Sequence, residues 1–308
     1  MSGEPAGSVL AQAKINLHLR VLEREESGFH AIETIFHRIS LADELSLSVT
    51  AAERTIDVDG DNTGPAESNL AYRAASAYAA RTGWPMGFRI LITKRIPIGA
   101  GLGGGSADAA GILRLLDFLA PKPVGSRELQ QLAAVLGADV PFLASDWVMA
   151  RGSRRGDRLS ALPPLPQRDV LLITPDFSVA TADAYAWLDN DRNAAGELSV
   201  TETRRGADAT RRFATVSDSL GESAWETIAR FAHNDLEPVV SARHPEMASM
   251  LSALRQLHPL LSLMSGSGST VFGVFDRAPD RSALPGEFQR GVRSTATAIE
   301  VVQPIRIK

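Results

Sequence analysis

The sequence predicts a fold that combines β-strands with α-helices, and three observations support this. Residues 13–21 alternate apolar and polar side chains with a period of two, as a strand does. Phe88 to Ile92 form a short apolar run typical of another strand. Shortly after it, the large apolar side chains between Ala109 and Leu119 recur at helical spacing. With 308 residues, the chain can form one large domain or two lobes.

The composition excludes several classes of protein. A hydrophobic content of 44% and a charged content of 22% are ordinary for a soluble globular protein, and a net charge of −4 does not suggest nucleic-acid binding. The absence of cysteine excludes disulfides, thiolate metal sites and a cysteine nucleophile, and it is compatible with the cytoplasm. No signal peptide or membrane-spanning stretch is visible. We therefore expect a cytoplasmic protein that binds neither nucleic acid nor a membrane.

The first predicted strand carries Lys14, Asn16 and His18 on its polar face, and we expect this strand to be half-buried. Such a row is more often a solvated face than a site. After a charged turn comes Gly28-Phe29-His30. Phe29 is more often a core anchor than a ligand platform, but it can stack on a flat base, and His30 can offer a donor and an acceptor.

The next elements lead to a glycine-rich stretch. Short apolar alternations between Ile35 and Val58 predict a β-hairpin, and the alanine-rich residues Leu70 to Ala80 predict a helix that Gly83 ends. The strand Phe88 to Ile92 follows and delivers the chain to that stretch.

Residues 97–110 read Pro-Ile-Gly-Ala-Gly-Leu-Gly-Gly-Gly-Ser-Ala-Asp-Ala-Ala. Five glycines within seven residues let backbone amides approach a ligand closely, and a helix start adds unpaired N–H groups and a positive dipole end. The stretch therefore predicts a cradle for an anion, above all for nucleotide phosphates. The cradle residues are Pro97, Gly99, Ala100, Gly101, Leu102, Gly103, Gly104, Gly105 and Ser106.

Three known glycine-rich loops fit this stretch poorly. A Walker A loop requires Gly-Lys-Ser/Thr at its end, whereas Ala107 follows Ser106 here. The spacing G-x-G-x-x-G of a dinucleotide site is present, but the acidic residue expected after the next strand is missing. The His-Arg-Asp and Asp-Phe-Gly motifs of protein kinases are absent.

A second candidate site follows the cradle. Ser126 caps a predicted helix, Leu129 to Leu136, which leads to Gly-Ala-Asp-Val-Pro-Phe at residues 137–142. Asp139 could be only the N-cap of a short helix, and that interpretation has equal weight on sequence alone. After a strand at Val148 to Gly152, a turn carries Arg154 and Arg155, which contact a diphosphate or are simply solvated; we favour solvation.

The second half of the chain alternates strands and helices. Tyr185 lies on a predicted helix, and residues 189–212 are polar enough to predict a mobile surface segment. A Gly/Ser loop at residues 265–270 joins two apolar strands. The predicted elements are strands at Val170 to Ile173, Leu260 to Met264, Val271 to Phe275 and Ala298 to Ile305, and helices at Thr181 to Leu188, Ala224 to Phe231, Met247 to Leu257 and Leu284 to Gln289.

Five motifs, in this order, resemble those of the GHMP kinase superfamily. They are residues 13–17 (Ala-Lys-Ile-Asn-Leu), 28–30, 97–110, 137–142 and 265–270. The resemblance implies a two-lobed α+β GHMP kinase fold, with an N-terminal ribosomal-protein-S5-like lobe at residues 1–160 and a C-terminal α/β lobe at residues 161–308. Arg154 and Arg155 depart from the family pattern, which has small residues and a closing glutamate there.

The resemblance also implies an activity. The expected reaction transfers the γ-phosphate of ATP, with Mg²⁺, to the 2-hydroxyl of a cytidine diphosphate-linked methylerythritol in the non-mevalonate route to isoprenoids. Lys14 and Asp139 would be catalytic, Asn16 would position the methylerythritol part, and Ser106 is a candidate Mg²⁺ ligand. Phe29 and His30 would recognise cytosine, with Tyr185 as a second stacking residue. A monomer or a homodimer is expected.

Two other functions stay open on sequence. The chain could be another GHMP kinase that acts on homoserine, mevalonate or a sugar, but Gly28-Phe29-His30 favours a cytidine group. It could also be a non-catalytic nucleotide-binding homologue, although a binding protein has no use for the pair Lys14 and Asp139.

Overall fold

The structure is a computed structural model that describes residues 6–25, 28–59, 65–194, 224–298, 300–301 and 305–306. Its first half holds a large sheet with helices packed against it. The elements are β1 (Ala6–Arg24), β2 (His30–Thr50), β3 (Arg54–Asp59), α1 (Leu70–Thr82), β4 (Gly87–Thr93), α2 (Gly104–Leu119), α3 (Ser126–Leu136), α4 (Val140–Ala144), β5 (Met149–Ser153) and β6 (Arg158–Leu162).

The second half contains a smaller sheet and its helices. The elements are β7 (Asp169–Ile173), α5 (Thr181–Ala194), α6 (Ala224–Phe231), β8 (His233–Asn234), α7 (Leu236–Arg243), α8 (Pro245–Gln256), β9 (Leu261–Met264), β10 (Val271–Phe275), β11 (Val292–Ala296) and β12 (Ile305–Arg306). Among the described residues, no helix is both long and apolar enough to cross a bilayer.

The large sheet has the order β12-β1-β2-β4-β3, with β5 and β6 continuing from β2 and β8 beside β1. The predicted hairpin between β2 and β3 is wrong, because β4 lies between them, antiparallel to β2 and parallel to β3. Alternation identifies strands but not their partners. The apolar side chains Phe88, Ile90 and Ile92 of β4 are fully buried and suit an inner position, whereas the half-exposed β3 suits an edge.

β1 is buried on both faces, so the prediction of a half-buried strand is also wrong. Ile15 and Leu17 pack into the core, while Lys14 and Asn16 are each only 3% exposed. Distant parts of the chain cover the polar face: the carbonyl of Phe231 contacts His18 Nδ1 at 2.7 Å, and residues 265–268 lie beside Lys14 and Asn16. The residues that cover this face lie more than two hundred positions away in the sequence. The local pattern of β1 therefore cannot predict that the face is buried.

Helix α2 packs its apolar face against the large sheet and begins earlier than predicted. Its first residue is Gly104, not Ala109, so the last glycines of the cradle form the first helical turn. A side chain at Gly111 would lie 2.6 Å from Leu45 Cδ1, so the absence of a side chain there lets the helix approach the sheet closely. α3 likewise begins at Ser126, after Gly125.

The smaller sheet has the order β11-β7-β10-β9 and connects the two halves through a shared core. Val170 and Leu172 of β7 join the hydrophobic cluster of the large sheet, while Leu171 and Ile173 join a second cluster with α5, α7 and α8. The predicted lobe boundary at residue 160 falls within β6, and the division stays a prediction.

The predicted C-terminal elements need correction. Residues 286–291 form a 3-10 helix instead of an α-helix, and strand β11 at Val292–Ala296 precedes the predicted strand. Among the described residues of that predicted strand, only Ile305 lies in β12. Residues 189–194 belong to α5, which is longer than predicted, and the rest of the polar segment at 195–212 lies outside the described residues.

Candidate active site

A cleft of about 580 Å³ lies where the glycine-rich cradle, β1, the start of α4 and α5 meet. Its lining includes most of the predicted site residues. They are Lys14, Asn16, Pro97, Gly99, Ala100, Gly101, Gly103, Gly104, Gly105, Ser106, Asp139 and Tyr185. Leu102 is fully buried beneath the loop instead, and its carbonyl accepts from Lys14 N at 3.0 Å.

The cradle takes its shape from glycine conformations. Gly99, Gly101 and Gly103 have φ of 66°, 76° and 72°, a region that other residues avoid. A Cβ atom on Gly101 would overlap the carbonyl oxygen of Ser265, so only glycine allows the two loops to touch. The N–H groups of the first turn of α2, at residues 104–106, have no acceptor within the helix. The loop therefore presents amide donors and a helix dipole to an anion in the cleft.

Lys14 and Asp139 meet across this cleft, as predicted. Lys14 Nζ lies 3.3 Å from Asp139 Oδ2, and it also donates to Asn16 Oδ1 at 2.7 Å and to the carbonyl of Gly101 at 2.8 Å. These three contacts match the three donors of an ammonium group and hold it in one position. The Asp139 side chain is 30% exposed, so it can also contact a ligand.

The carboxylate of Asp139 is not used as a helix cap. Asp139 occupies the N-cap position of α4, but its side chain makes no capping hydrogen bond, and Pro141 lies in the first turn. Its side chain is paired with Lys14 instead, which removes the simplest structural explanation for this aspartate.

Asn16 is oriented by a chain of hydrogen bonds. Its Nδ2 donates to Thr34 Oγ1 at 2.8 Å, and Thr34 in turn donates to the carbonyl of His18 at 2.7 Å. The amide oxygen of Asn16 therefore faces Lys14. The role of Thr34 was not predicted, because a threonine inside an apolar strand gives no sequence signal.

Of the predicted base-binding residues, Tyr185 lines the cleft, whereas Phe29 and His30 do not line it and are linked to it through contacts with Arg155 and Tyr185. Tyr185 stacks on His30 with ring centroids 5.1 Å apart, and Phe29 is 59% exposed with the Arg155 guanidinium 4.3 Å from its ring centroid. His30 Nε2 contacts Asp189 Oδ1 at 2.7 Å. Burial and the nearby Asp139 raise the pKa of Tyr185 to about 12, so it stays a neutral phenol. Tyr185 thus adjoins His30, while Arg155 covers Phe29.

A second loop braces the cradle. Ser265 Oγ donates to the carbonyl of Gly101 at 2.9 Å, and Thr270 N donates to the carbonyl of Ala100 at 3.2 Å. The buried Asn234 holds this loop from behind, because its Nδ2 donates to the carbonyls of Met264 and Gly266, each at 2.8 Å. The motif Asn-Asp-Leu-Glu-Pro at residues 234–238 is visible in the sequence, but its contact with the loop is not.

A buried ionic cluster supports the other side of the cradle. Lys94 bridges Asp43 and Asp108, and Asp43 Oδ1 accepts from the backbone N–H groups of Arg95 and Ile96 at 2.6 and 2.8 Å. Burial raises the pKa of Asp108 to about 7, against the opposing effect of Lys94. These residues were missed, because they are scattered over the sequence and only the fold brings them together.

No group of three or more histidine, aspartate or glutamate side chains forms a metal site within the described ranges. Ser106 lines the cleft in the first turn of α2, and Asp139 lines it from the start of α4. Mg²⁺ at phosphate-transfer sites keeps several waters and takes one or two protein oxygens together with phosphate oxygens. These two side chains fit that requirement.

Comparison with known proteins identifies the fold. Residues 69–146 match the GHMP kinases N terminal domain, and residues 216–290 match the GHMP kinases C terminal domain. A crystal structure of homoserine kinase from Cytophaga hutchinsonii has the same fold, with a TM-score of 0.69 at 19% identity over all of this chain and 99% of that one. The fold is that of a GHMP kinase.

Proteins with higher sequence identity show which family of GHMP kinases the chain belongs to. The 4-diphosphocytidyl-2-C-methyl-D-erythritol kinase of Desulfotalea psychrophila is 38% identical over 87% of this chain and 85% of its own length. That of Geobacter sp. (strain M21) is 36% identical over 96% and 98%. A crystal structure of 4-(cytidine 5'-diphospho)-2C-methyl-D-erythritol kinase aligns with a TM-score of 0.69 at 34% identity, over 94% of this chain and 99% of that one. The chain belongs to the family of 4-diphosphocytidyl-2-C-methyl-D-erythritol kinases.

Proposed function

We propose that this protein transfers the γ-phosphate of ATP to the 2-hydroxyl of 4-diphosphocytidyl-2-C-methyl-D-erythritol, a step of non-mevalonate isoprenoid precursor synthesis. The observation that carries the proposal is the Lys14–Asp139 pair, 3.3 Å apart, in the cleft that the glycine-rich cradle lines. Membership of the kinase family supports it. A protein that only bound nucleotide would not need a buried lysine paired with a carboxylate beside its phosphate site.

The chemistry follows from positions and charges. Phosphoryl transfer passes through a loose transition state, so the protein mainly positions the acceptor and stabilises charge. Asp139 orients the acceptor hydroxyl and takes its proton late in the reaction. Lys14, held by Asn16 and Gly101, offsets the negative charge on the transferring group. The amides of the cradle hold the phosphates of ATP, and Asn16 positions the methylerythritol part.

Mg²⁺ would be held by the phosphate oxygens together with Ser106 and would shield their charge. A serine at the end of a glycine-rich loop, in the first turn of a helix, suits this role. We propose Ser106 as the only protein ligand supplied by the cradle.

Recognition of cytosine would depend on which ring nitrogen of His30 carries the hydrogen. A carboxylate only accepts hydrogen bonds, so His30 Nε2 carries the hydrogen in its contact with Asp189. The other nitrogen, Nδ1, is then an acceptor in the neutral ring and suits the exocyclic amino group of cytosine. Phe29 offers an exposed ring for stacking.

We further propose a cytoplasmic location, a monomer or homodimer in solution, and a division into lobes close to β6.

The proposal is tested by ADP release with Mg-ATP and a panel of acceptors: 4-diphosphocytidyl-2-C-methyl-D-erythritol, homoserine, mevalonate and galactose. We expect turnover on the cytidyl compound and none above background on the other three. Turnover on another acceptor would contradict the base-binding role of Phe29 and His30. If ATP binds but no ADP is released with any of the four acceptors, the catalytic proposal itself is contradicted.

A further inference from the structure

We propose that Arg155 is a substrate-binding residue that pairs with the diphosphate of the acceptor and thereby selects acceptors that carry one. The inference rests on the proposed function and concerns the same cleft. It differs from the expectation that the arginines of this turn are merely solvated.

The turn that carries Arg155 is attached to the catalytic region. The carbonyl of Arg154 accepts from Ile32 N on β2. A Cβ atom on Gly156 would lie 3.3 Å from Ile32 Cδ1 and 4.0 Å from the carbonyl oxygen of Ala138, the residue before Asp139. Arg155 therefore lines the same cleft as Asp139, from a turn that is held against β2 and lies close to the backbone of Ala138.

The guanidinium also reaches Phe29, a predicted base-binding residue. It lies over the ring of Phe29, 4.3 Å from the centroid, and donates to Glu25 Oε2 through Nη2 at 2.9 Å and through Nε at 3.2 Å. Arg155 thus adjoins Phe29, and its neighbour Gly156 lies beside the loop of Asp139. In the acceptor, the diphosphate connects the cytidine to the methylerythritol alcohol. A substrate with its base at Phe29 and its hydroxyl at Asp139 must place its diphosphate between them, beside Arg155.

The charges of the cleft favour the same assignment. Of the three cationic side chains that line it among the described residues, Lys14 and Lys94 are buried against carboxylates. Arg155 differs, because its side chain is 42% exposed and that of its partner Glu25 is 33% exposed. An exposed pair of this kind contributes little to stability and exchanges readily for a stronger anion. Arginine also presents a planar set of donors that matches phosphate oxygens, which lysine cannot reproduce.

The test compares Arg155→Gln and Arg155→Lys with Arg154→Gln, a matched control in the same turn. KM and kcat are measured for the acceptor and for ATP, and the affinities for CDP and cytidine are measured by calorimetry. We expect Arg155→Gln to raise the acceptor KM and weaken CDP binding by about 10- to 100-fold, the scale of charge-assisted hydrogen bonds. Cytidine affinity and the KM for ATP should change less than about threefold, and Arg155→Lys should lie in between.

Several outcomes separate the explanations. Equal losses for CDP and cytidine would mean that Arg155 only supports Phe29, and unchanged values for both would mean that it is solvated; either result overturns the inference. Equal effects of Arg154→Gln would overturn it as well, because the turn would then act only through its overall charge. Wild-type protein that binds neither CDP nor the acceptor would overturn the proposed function together with this inference. If the wild type turns over normally and Arg155→Gln has the same acceptor KM and CDP affinity, this inference is overturned and the proposed function stands.

Discussion

Among the residues of the cleft, Asp139 has the surroundings that most clearly indicate a chemical role. Its partner Lys14 is buried and held by Asn16 and the carbonyl of Gly101, so the lysine cannot turn away from the carboxylate. The side chain of Asp139 makes no capping hydrogen bond, and 30% of its surface is exposed. A carboxylate with a fixed cation on one side and an open side toward a ligand is suited to orient a hydroxyl and accept its proton.

Substitution Asp139→Asn should lower kcat by about 10²- to 10⁴-fold, because asparagine keeps the shape but cannot accept the proton. The affinity for ATP should change little, since the phosphates are proposed to bind to the amides of the cradle. Steady-state kinetics and ATP calorimetry measure the two effects. Asp146→Asn is the control, because this carboxylate is 76% exposed and does not line the cleft. Near-normal turnover of Asp139→Asn would remove Asp139 from the mechanism.

At the scale of elements, the active site depends on the contact between two loops. The cradle, before α2, touches the loop between β9 and β10 at Gly101 and Ala100, and Asn234 fixes the second loop from behind. Ser265 and Thr270 of the second loop donate to carbonyls of the cradle, so each loop helps to hold the other in place.

Substitution Gly101→Ala should therefore disrupt both loops at once. The added Cβ would overlap the carbonyl of Ser265, and alanine disfavours the φ of 76° at this position. We expect a loss of about 2–4 kcal/mol in the free energy of unfolding and at least a tenfold weaker affinity for ATP. Urea denaturation and calorimetry measure both quantities.

Gly286→Ala is the matched control, because a Cβ there meets nothing within 4 Å. It should change the free energy of unfolding by less than about 0.5 kcal/mol. If Gly101→Ala were as stable and as active as this control, the tight contact between the loops would not be needed.

At the scale of the whole molecule, a buried histidine connects the two halves. His37 of β2 is fully buried and stacks on Trp225 of α6, with ring centroids 6.0 Å apart. Its Nδ1 contacts the carbonyl of Arg38 at 2.7 Å, and Nε2 has no hydrogen-bond partner among the described residues. Burial lowers the pKa of His37 from 6.5 to about 4, so the ring is neutral in the folded protein at pH 7.

This histidine should make the folded protein less stable in acid. Above pH 6.5 the ring is neutral in both states and contributes nothing. Between pH 6.5 and 4 the unfolded chain binds a proton that the folded protein does not, so the free energy of unfolding falls as the pH falls. Burial lowers the pKa of His18 and acts in the same direction, whereas the raised pKa of Asp108 opposes it.

The substitution His37→Phe isolates this effect, because it keeps a ring against Trp225 and removes the titration. Between pH 7.5 and pH 4.5, wild type should lose about 2.5 kcal/mol more than the variant, at 1.36 kcal/mol per pKa unit. Urea denaturation at each pH measures the difference, and the constant cost of the lost bond to Arg38 cancels. Parallel curves for the two proteins would contradict the neutral state of His37.

Many features were predictable because they depend on neighbours in sequence. The glycines of the cradle, the apolar period of α2 and the alternation of β1 each reflect a local backbone requirement. The motif order was also sufficient to identify the superfamily, and with it the pairing of Lys14 with Asp139. The hairpin between β2 and β3 was predicted wrongly because strand pairing depends on which apolar strand reaches the core, not on the strand's own pattern.

The sequence by itself determined the class of protein and predicted the phosphate cradle and the residue types proposed to act in the cleft, since those depend on short motifs. Only the tertiary structure decided that both faces of β1 are buried, that Asn234 holds the second loop and that Lys94 joins Asp43 to Asp108. It also placed Arg155 over Phe29 and in the lining of the cleft that holds Asp139. The physical reason is that burial, ion pairing and ring stacking arise from contacts between segments far apart in the chain, and local patterns do not encode such contacts.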